Sequence, residues 1–298
     1  MYEFDYLAEN ESETLYLFAT SKDQPVHMWD VNKSIIFTQF RCLNQVEETI
    51  TPISIRVNHV HKTLLTGHQK GILKLFDIEQ SHEAPDTLEL AIKKRRKKQP
   101  ISSIDYSPKD PNFIALGSFD SSVYLIDQRV FNKVFHRLTD FTQKGITQVK
   151  FSNDGKYLLV GSRKEYNSIY QWDMRFPREA IVCYNYSRLN ESNQRVYYDL
   201  DEQSKYLYTG NSDGSIYVYD IQKGEFAYSF PAMFDSVGAV SIHDQFLATS
   251  SGMRHFNEKI SINSSSDDEN NDQQQIEEDD IYKNFKNGVR VWQLQKIQ

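Results

Sequence analysis

The sequence has little from which a membrane, secreted or metal-bound protein could be built. No stretch approaches the ~18 consecutive apolar residues of a membrane-spanning helix. The N-terminus, MYEFDYLAEN, is acidic and aromatic rather than basic and apolar, which excludes a signal or transit peptide. Only two cysteines occur, Cys42 and Cys183, too few for a disulfide framework. Without CxxC or HxxxH spacing they offer no zinc site, and both are expected as small buried side chains. Phosphate loops, GxSxG and HExxH motifs and clustered His/Asp constellations are also missing, which argues against an enzyme, a metal or a cofactor. No convincing long amphipathic helix can be traced. These absences predict a soluble, intracellular, non-catalytic chain. Its 298 residues would suit two domains or one large all-β unit.

What is present is a repeat. An apolar-x-apolar-aromatic-Asp signature ends at Asp30, Asp77, Asp127, Asp173 and Asp220, spaced 46–50 residues apart, and a related Val-Arg-Val-Trp-Gln ends at Gln293, 73 residues further on. Each unit reads as four short alternating strands separated by turns. In the fourth unit these are 146–151, 157–161, the Trp-Asp strand and 180–184, with Asn153-Asp154-Gly155 as the hairpin signal. The period and the four-strand unit match WD40 repeats, so the expected fold is an all-β WD40 β-propeller forming one domain over residues 1–298. Six blades are visible. The first begins at its inner strand and the last stops after its third. A seven-bladed ring lacking its first blade and a six-bladed ring with an incomplete seam account for this equally well.

In a blade whose strands run a, b, c, d from inner to outer edge, the b–c and d–a loops share one side. That side collects Lys22, Gly67-His68-Gln69-Lys70, Phe119, Arg163-Lys164, Arg188, Arg195 and Arg254-His255-Phe256. Basic groups interleaved with aromatics suit RNA phosphates and unpaired bases. The run Lys93-Lys94-Arg95-Arg96-Lys97-Lys98 reads as a nuclear localisation signal, an RNA-phosphate contact or a solvated loop. Residues 257–286 are the opposite case, an acidic insertion in the last blade that is too polar to pack and is expected to be disordered. Its segment 267–280 holds eight acids and no base, so the net charge of −7 becomes +1 without it. Asp120 and Asp213 are expected to cap b–c turns through backbone N–H groups, and the aromatics ending the c strands to pack between blades.

Two further patterns carry a function. Trp172-Asp173-Met174-Arg175 and Ile126-Asp127-Gln128-Arg129 resemble the WDxR boxes by which WD40 substrate receptors dock on cullin-4 ubiquitin ligases. This would make Asp127, Arg129, Asp173 and Arg175 adaptor contacts, and a locally paired strand end is the plainer reading. Four stretches resemble the telomerase Cajal body protein family. They are Asp23-Gln24-Pro25-Val26-His27-Met28-Trp29-Asp30, Gly161-Ser162-Arg163-Lys164-Glu165 leading to Trp172-Asp173-Met174-Arg175, Asn193-Gln194-Arg195-Val196-Tyr197-Tyr198-Asp199-Leu200-Asp201, and Ala248-Thr249-Ser250-Ser251-Gly252-Met253-Arg254. The resemblance implies a nuclear, Cajal-body scaffold. It would bind small non-coding RNA of the box H/ACA type, telomerase RNA included, and work with H/ACA core proteins and telomerase. It also implies Arg163, Lys164, Arg195 and Arg254 as RNA contacts, with Tyr197 and Phe256 as stacking residues. No membrane or small-molecule substrate is expected. A ligase substrate receptor and a protein-only spliceosomal or snRNP assembly platform are the competing readings.

Overall fold

Antiparallel four-strand meanders follow one another along the chain in the computed structural model, which describes residues 3–9, 14–90, 99–139, 144–163, 168–185, 195–252 and 288–293. They fall into two compact units, Met1–Asn185 and Tyr186–Gln298.

The first unit holds four sheets. They comprise β1 (Phe4–Glu9), β2 (Thr14–Ala19), β3 (Val26–Asp30) and β4 (Ile35–Phe40); β5 (Pro52–Asn58), β6 (Thr63–His68), β7 (Ile72–Asp77) and β8 (Asp86–Glu89); β9 (Ile101–Tyr106), β10 (Phe113–Ser118), β11 (Ser122–Asp127) and β12 (Val134–Leu138); and β13 (Lys144–Phe151), β14 (Tyr157–Arg163), β15 (Ser168–Asp173) and β16 (Ala180–Asn185). The second unit holds β17 (Tyr198–Leu200), β18 (Tyr206–Gly210), β19 (Ser215–Asp220) and β20 (Glu225–Pro231), followed by a sheet of β21 (Val237–His243), β22 (Phe246–Ser251) and β23 (Gly288–Gln293). The fold is all-β and of the WD40 β-propeller class, with six blades. Strand order follows the sequence in every sheet, a-b-c-d in the four-stranded ones and a-b-c in the last. Gly155 takes φ +66 in the turn between β13 and β14, the left-handed backbone that the Asp-Gly signal anticipates.

The inner strand β9 is buried over five of its six residues, whereas the outer strands β4 and β20 face solvent along most of their length. Apolar side chains therefore pack between neighbouring sheets. Phe18, Phe40 and Phe76 meet between the first two sheets, Leu73, Ile104 and Tyr124 between the next two, and Val123, Ile146 and Trp172 between the last two of the first unit. Ile216, Val237 and Leu247 do the same in the second unit.

A polar stitch runs alongside. Asp5 Oδ2 accepts the N–H of Val57 (2.8 Å), Asp105 Oδ2 that of Phe151 (2.8 Å) and Asp199 Oδ2 that of Ile242 (3.0 Å). Each carboxylate stands mid-strand on an inner strand and satisfies a backbone donor of the next sheet that would otherwise be buried unpaired.

Close approach between sheets leaves no room for a Cβ at the end of strand b. On Gly117 it would stand 2.7 Å from Ile146 Cγ2, and on Gly210 it would collide with the Val237 carbonyl oxygen. A methyl group can turn aside and a backbone carbonyl cannot. Gly210→Ala is therefore expected to cost about 1–3 kcal/mol, more than Gly117→Ala, as a lower urea midpoint. Equal losses would contradict the packing described.

Two expectations about single residues fail. Cys42 is buried but Cys183 is exposed, because β16 is the outermost strand of its sheet and residue 183 faces away from the core. Of the c-strand tryptophans, Trp172 is buried, but Trp29 is exposed beside His27.

Candidate functional site

The aspartate that closes each c strand is a turn cap. Its carboxylate accepts backbone N–H groups two or three residues on: Lys33 for Asp30, Glu79 and Gln80 for Asp77, Arg129 for Asp127, Arg175 for Asp173, and Gln222 and Lys223 for Asp220. Short carboxylate side chains favour this geometry, which fixes the c–d turn. In the two WDxR units the arginine closes back on its own aspartate. Arg129 reaches Asp127 at 2.6 Å and Arg175 reaches Asp173 at 2.6 Å, each with the guanidinium exposed and a second N–H on the other oxygen. The side-chain hydrogen bond from Arg holds both carboxyls below the usual range. Phe176, 74% exposed, follows Arg175.

On the b–c side of the first unit, Lys22, Gln69 and Lys70 are exposed in their turns, Phe119 is half-buried, and the backbone of Arg163 ends β14. Two residues there behave differently from the sequence-based expectation. His68 is fully buried at the end of β6, its Nε2 2.8 Å from Thr66 Oγ1, and burial pushes its imidazole down to about 4. It is neutral and adds nothing to a basic surface. Asp120 caps no backbone donor. Its Oδ2 instead accepts the Tyr124 hydroxyl (2.6 Å) and Arg137 (3.1 Å), and the Arg137 guanidinium stands over the Tyr124 ring. Asp213 does accept the Ser215 N–H, at 2.8 Å.

The second unit brings arginines and aromatics to one end of its two sheets. Arg195 and Tyr197 enter β17 together, with Arg195 Nη1 3.5 Å from the Tyr197 hydroxyl. The Tyr197 backbone is held in a parallel bridge to β21, donating to Gly238 and accepting from Val240. The loop between β20 and β21 is tied to the Asn211–Gly214 turn through Met233 and Val237 N–H bonds, and it presents Phe234, 76% exposed. The Arg290 guanidinium lies 5.5 Å from the centre of that ring, anchored by a bond to the Ala232 carbonyl. Exposed rings beside forked donors offer a stacking face and anion contacts at the same place. Among the described residues no group of three or more His, Cys, Asp or Glu side chains could hold a metal ion, and no helix is long and apolar enough to cross a membrane.

Residues 133–173 match the family model of the WD domain, G-beta repeat. Over 264 residues the chain is 28% identical to Telomerase Cajal body protein 1 of Mus musculus, covering 86% of this chain and 48% of that protein. This chain is similar to Telomerase Cajal body protein 1 over most of its length. The homolog of that protein in Drosophila melanogaster is 24% identical over 300 residues, 97% of this chain and 53% of its own length. The chain thus spans about half the length of the Telomerase Cajal body proteins it matches. A chain in the solved structure of the Mitotic Checkpoint Complex shares the fold, with a TM-score of 0.63 at 16% identity over 84% of this chain and 73% of that one.

Of the stretches that resemble the Telomerase Cajal body proteins, Asp23–Asp30 forms the turn into β3 and β3 itself, and Ala248–Gly252 ends β22. Arg195 and Tyr197 are brought together as described. Lys164, Arg254, Phe256, the basic run Lys93, Lys94, Arg95, Arg96, Lys97 and Lys98, and the acidic residues 257–286 lie outside the described residues. Sequence reading missed Phe234 and Arg290, which stand 56 positions apart with the acidic segment between them. The one available signal was an exposed phenylalanine in a polar d–a loop.

Proposed function

We propose that this chain is a non-catalytic WD40 scaffold that binds a small non-coding RNA of the box H/ACA class, such as telomerase RNA. It would bring that ribonucleoprotein, with its H/ACA core proteins, to a Cajal-type nuclear body. The observation that carries this reading is the similarity to Telomerase Cajal body protein 1 across 86% of the chain. Arg195 and Tyr197, and the Phe234–Arg290 pair of the same unit, support it chemically. The arginines donate to phosphates or base edges and the rings stack unpaired bases. Arg163, Lys164, Arg254 and Phe256 are further proposed RNA contacts, from their place in or beside the stretches that resemble the Telomerase Cajal body proteins.

Crosslinking followed by sequencing of the bound RNA tests the reading, which is lost if no small RNA is enriched. Partners that survive nuclease treatment in that case would favour a protein-only assembly platform. Arg195→Ala is expected to weaken RNA binding by about tenfold, from a base-contact worth of about 1–3 kcal/mol, with the melting temperature unchanged. A matching fall in melting temperature would instead make Arg195 a structural residue.

A further inference from the structure

A groove of about 1380 Å³ runs between β4, the outer strand of the first sheet, and β7 and β8 of the second. β4 forms one wall with Ile36 and Phe37, which are 48% and 58% exposed, and β7 forms the other with Lys74 and Phe76. The Thr38 hydroxyl donates to Ser81 Oγ at 3.2 Å, linking the two walls.

Lys74 is the anomaly in this wall. Strand alternation puts its side chain on the same face as Phe76, and only 7% of the residue is exposed. The ammonium donates to Thr87 Oγ1 at 3.1 Å and has no carboxylate within ion-pair distance among the described residues. Burial draws its pKa below the usual lysine range. The two groove carboxylates, Glu83 and Glu89, do not reach it, while Arg41 and Lys70 add positive charge along the rim. A buried cation without a counter-ion is a standing cost to the fold, and methionine of similar length would fill the space without it. β4 is also the edge of its sheet, so its outward N–H and C=O groups are unpaired beside an apolar strip.

These features together specify an occupant: a backbone to pair with β4, apolar side chains for the exposed Ile36 and Phe37, and a carboxylate for Lys74. We propose that the groove binds an acidic, apolar peptide segment in extended form, added as a strand to β4, with one carboxylate seated on the Lys74 ammonium. A free backbone edge and an aromatic wall favour a peptide over a phosphate ligand, which needs neither.

The test uses the full chain and fluorescence anisotropy with two labelled decapeptides, one alternating glutamate with leucine and one alternating lysine with leucine. The acidic peptide is expected to bind at least about tenfold tighter than the basic one. Lys74→Met should lose about tenfold or more of that affinity, the worth of a charge-assisted bond, while melting at or above the wild-type temperature. Phe37→Glu, on an exposed site, should lose binding by repulsion and serves as the second variant. The proposal is overturned by equal binding of the two peptides, by unchanged affinity in Lys74→Met, or by a lower melting temperature for that variant, which would make the ammonium part of the fold. Lys74-dependent binding of pyrophosphate without peptide binding would also overturn it.

Discussion

Asp105→Ala is expected to remove about 2–4 kcal/mol of stability, a larger loss than any surface change on this chain. Asp105 is 5% exposed, and its carboxylate has two partners from two other sheets: Arg56 at 2.6 Å on one oxygen and the Phe151 N–H at 2.8 Å on the other. Truncation strands both. The amide of Phe151, the last residue of β13, loses its carboxylate acceptor, and a buried donor left unpaired costs about 1–3 kcal/mol. Breaking a buried ion pair costs about 3–5 kcal/mol, but the Arg56 side chain is 38% exposed, so water screens part of that loss. Asp5 stands 3.8 Å from Arg56 and takes up some of the charge. Burial works against the guanidinium, and Asp105 and Asp5 nevertheless raise its pKa above the ordinary value.

Two variants divide the effect. Asp105→Asn keeps an acceptor for Phe151 and should lose less. Arg56→Leu combined with Asp105→Leu should recover part of the loss, because neither charge is then left alone. Urea denaturation of the wild type and the three variants measures these differences. A loss below about 0.5 kcal/mol for Asp105→Ala would mean that the inter-sheet stitch contributes nothing.

How much of this could be read from the chain depends on whether the cause is local. The Asp-Gly hairpin of the fourth unit comes straight from turn chemistry, and Gly155 matches it. Bulges do not announce themselves: the register shifts at Ile146 and Gln148 carry β13 back to Lys144, two residues before the alternating run. The run 196–200 forms a strand only over Tyr198–Leu200, because Tyr197 pairs in parallel with the next sheet. The carboxylates Asp5, Asp105 and Asp199 look like solvent-facing strand positions, yet each serves a backbone group more than 40 residues away. Asp120 misleads in the same way, since its cation Arg137 lies on the fourth strand of the sheet. The stacking pair Phe234 and Arg290 is likewise a product of register, with β23 laid on β22 so that Arg290 faces Thr249. Residue type alone points to Arg195 and Tyr197, whereas their neighbours on the surface come from the sheet.

Lowering the pH from 6.5 to 4 is expected to remove about 3 kcal/mol of stability through His68 alone. The folded imidazole titrates near 4, against 6.5 for the free side chain, because burial disfavours the charged form. The unfolded chain therefore binds a proton that the folded chain refuses throughout that window. Stability is fully present above the unfolded value, falls as pH drops through the window, and levels off below the folded value. His68→Gln retains a polar partner for Thr66 and cannot be protonated, so its own stability should lack this slope. Measured as a difference, wild type minus variant, the gap should shrink by about 3 kcal/mol between pH 6.5 and 4, with the titration of the carboxylates cancelling. A gap that stays constant would mean that His68 is solvated in solution and belongs to the basic surface after all. If the gap closes as expected, the second sheet contributes Lys70 and not His68 as a cation on its b–c turn, and the site for an anionic partner rests on the arginines and rings of the second unit.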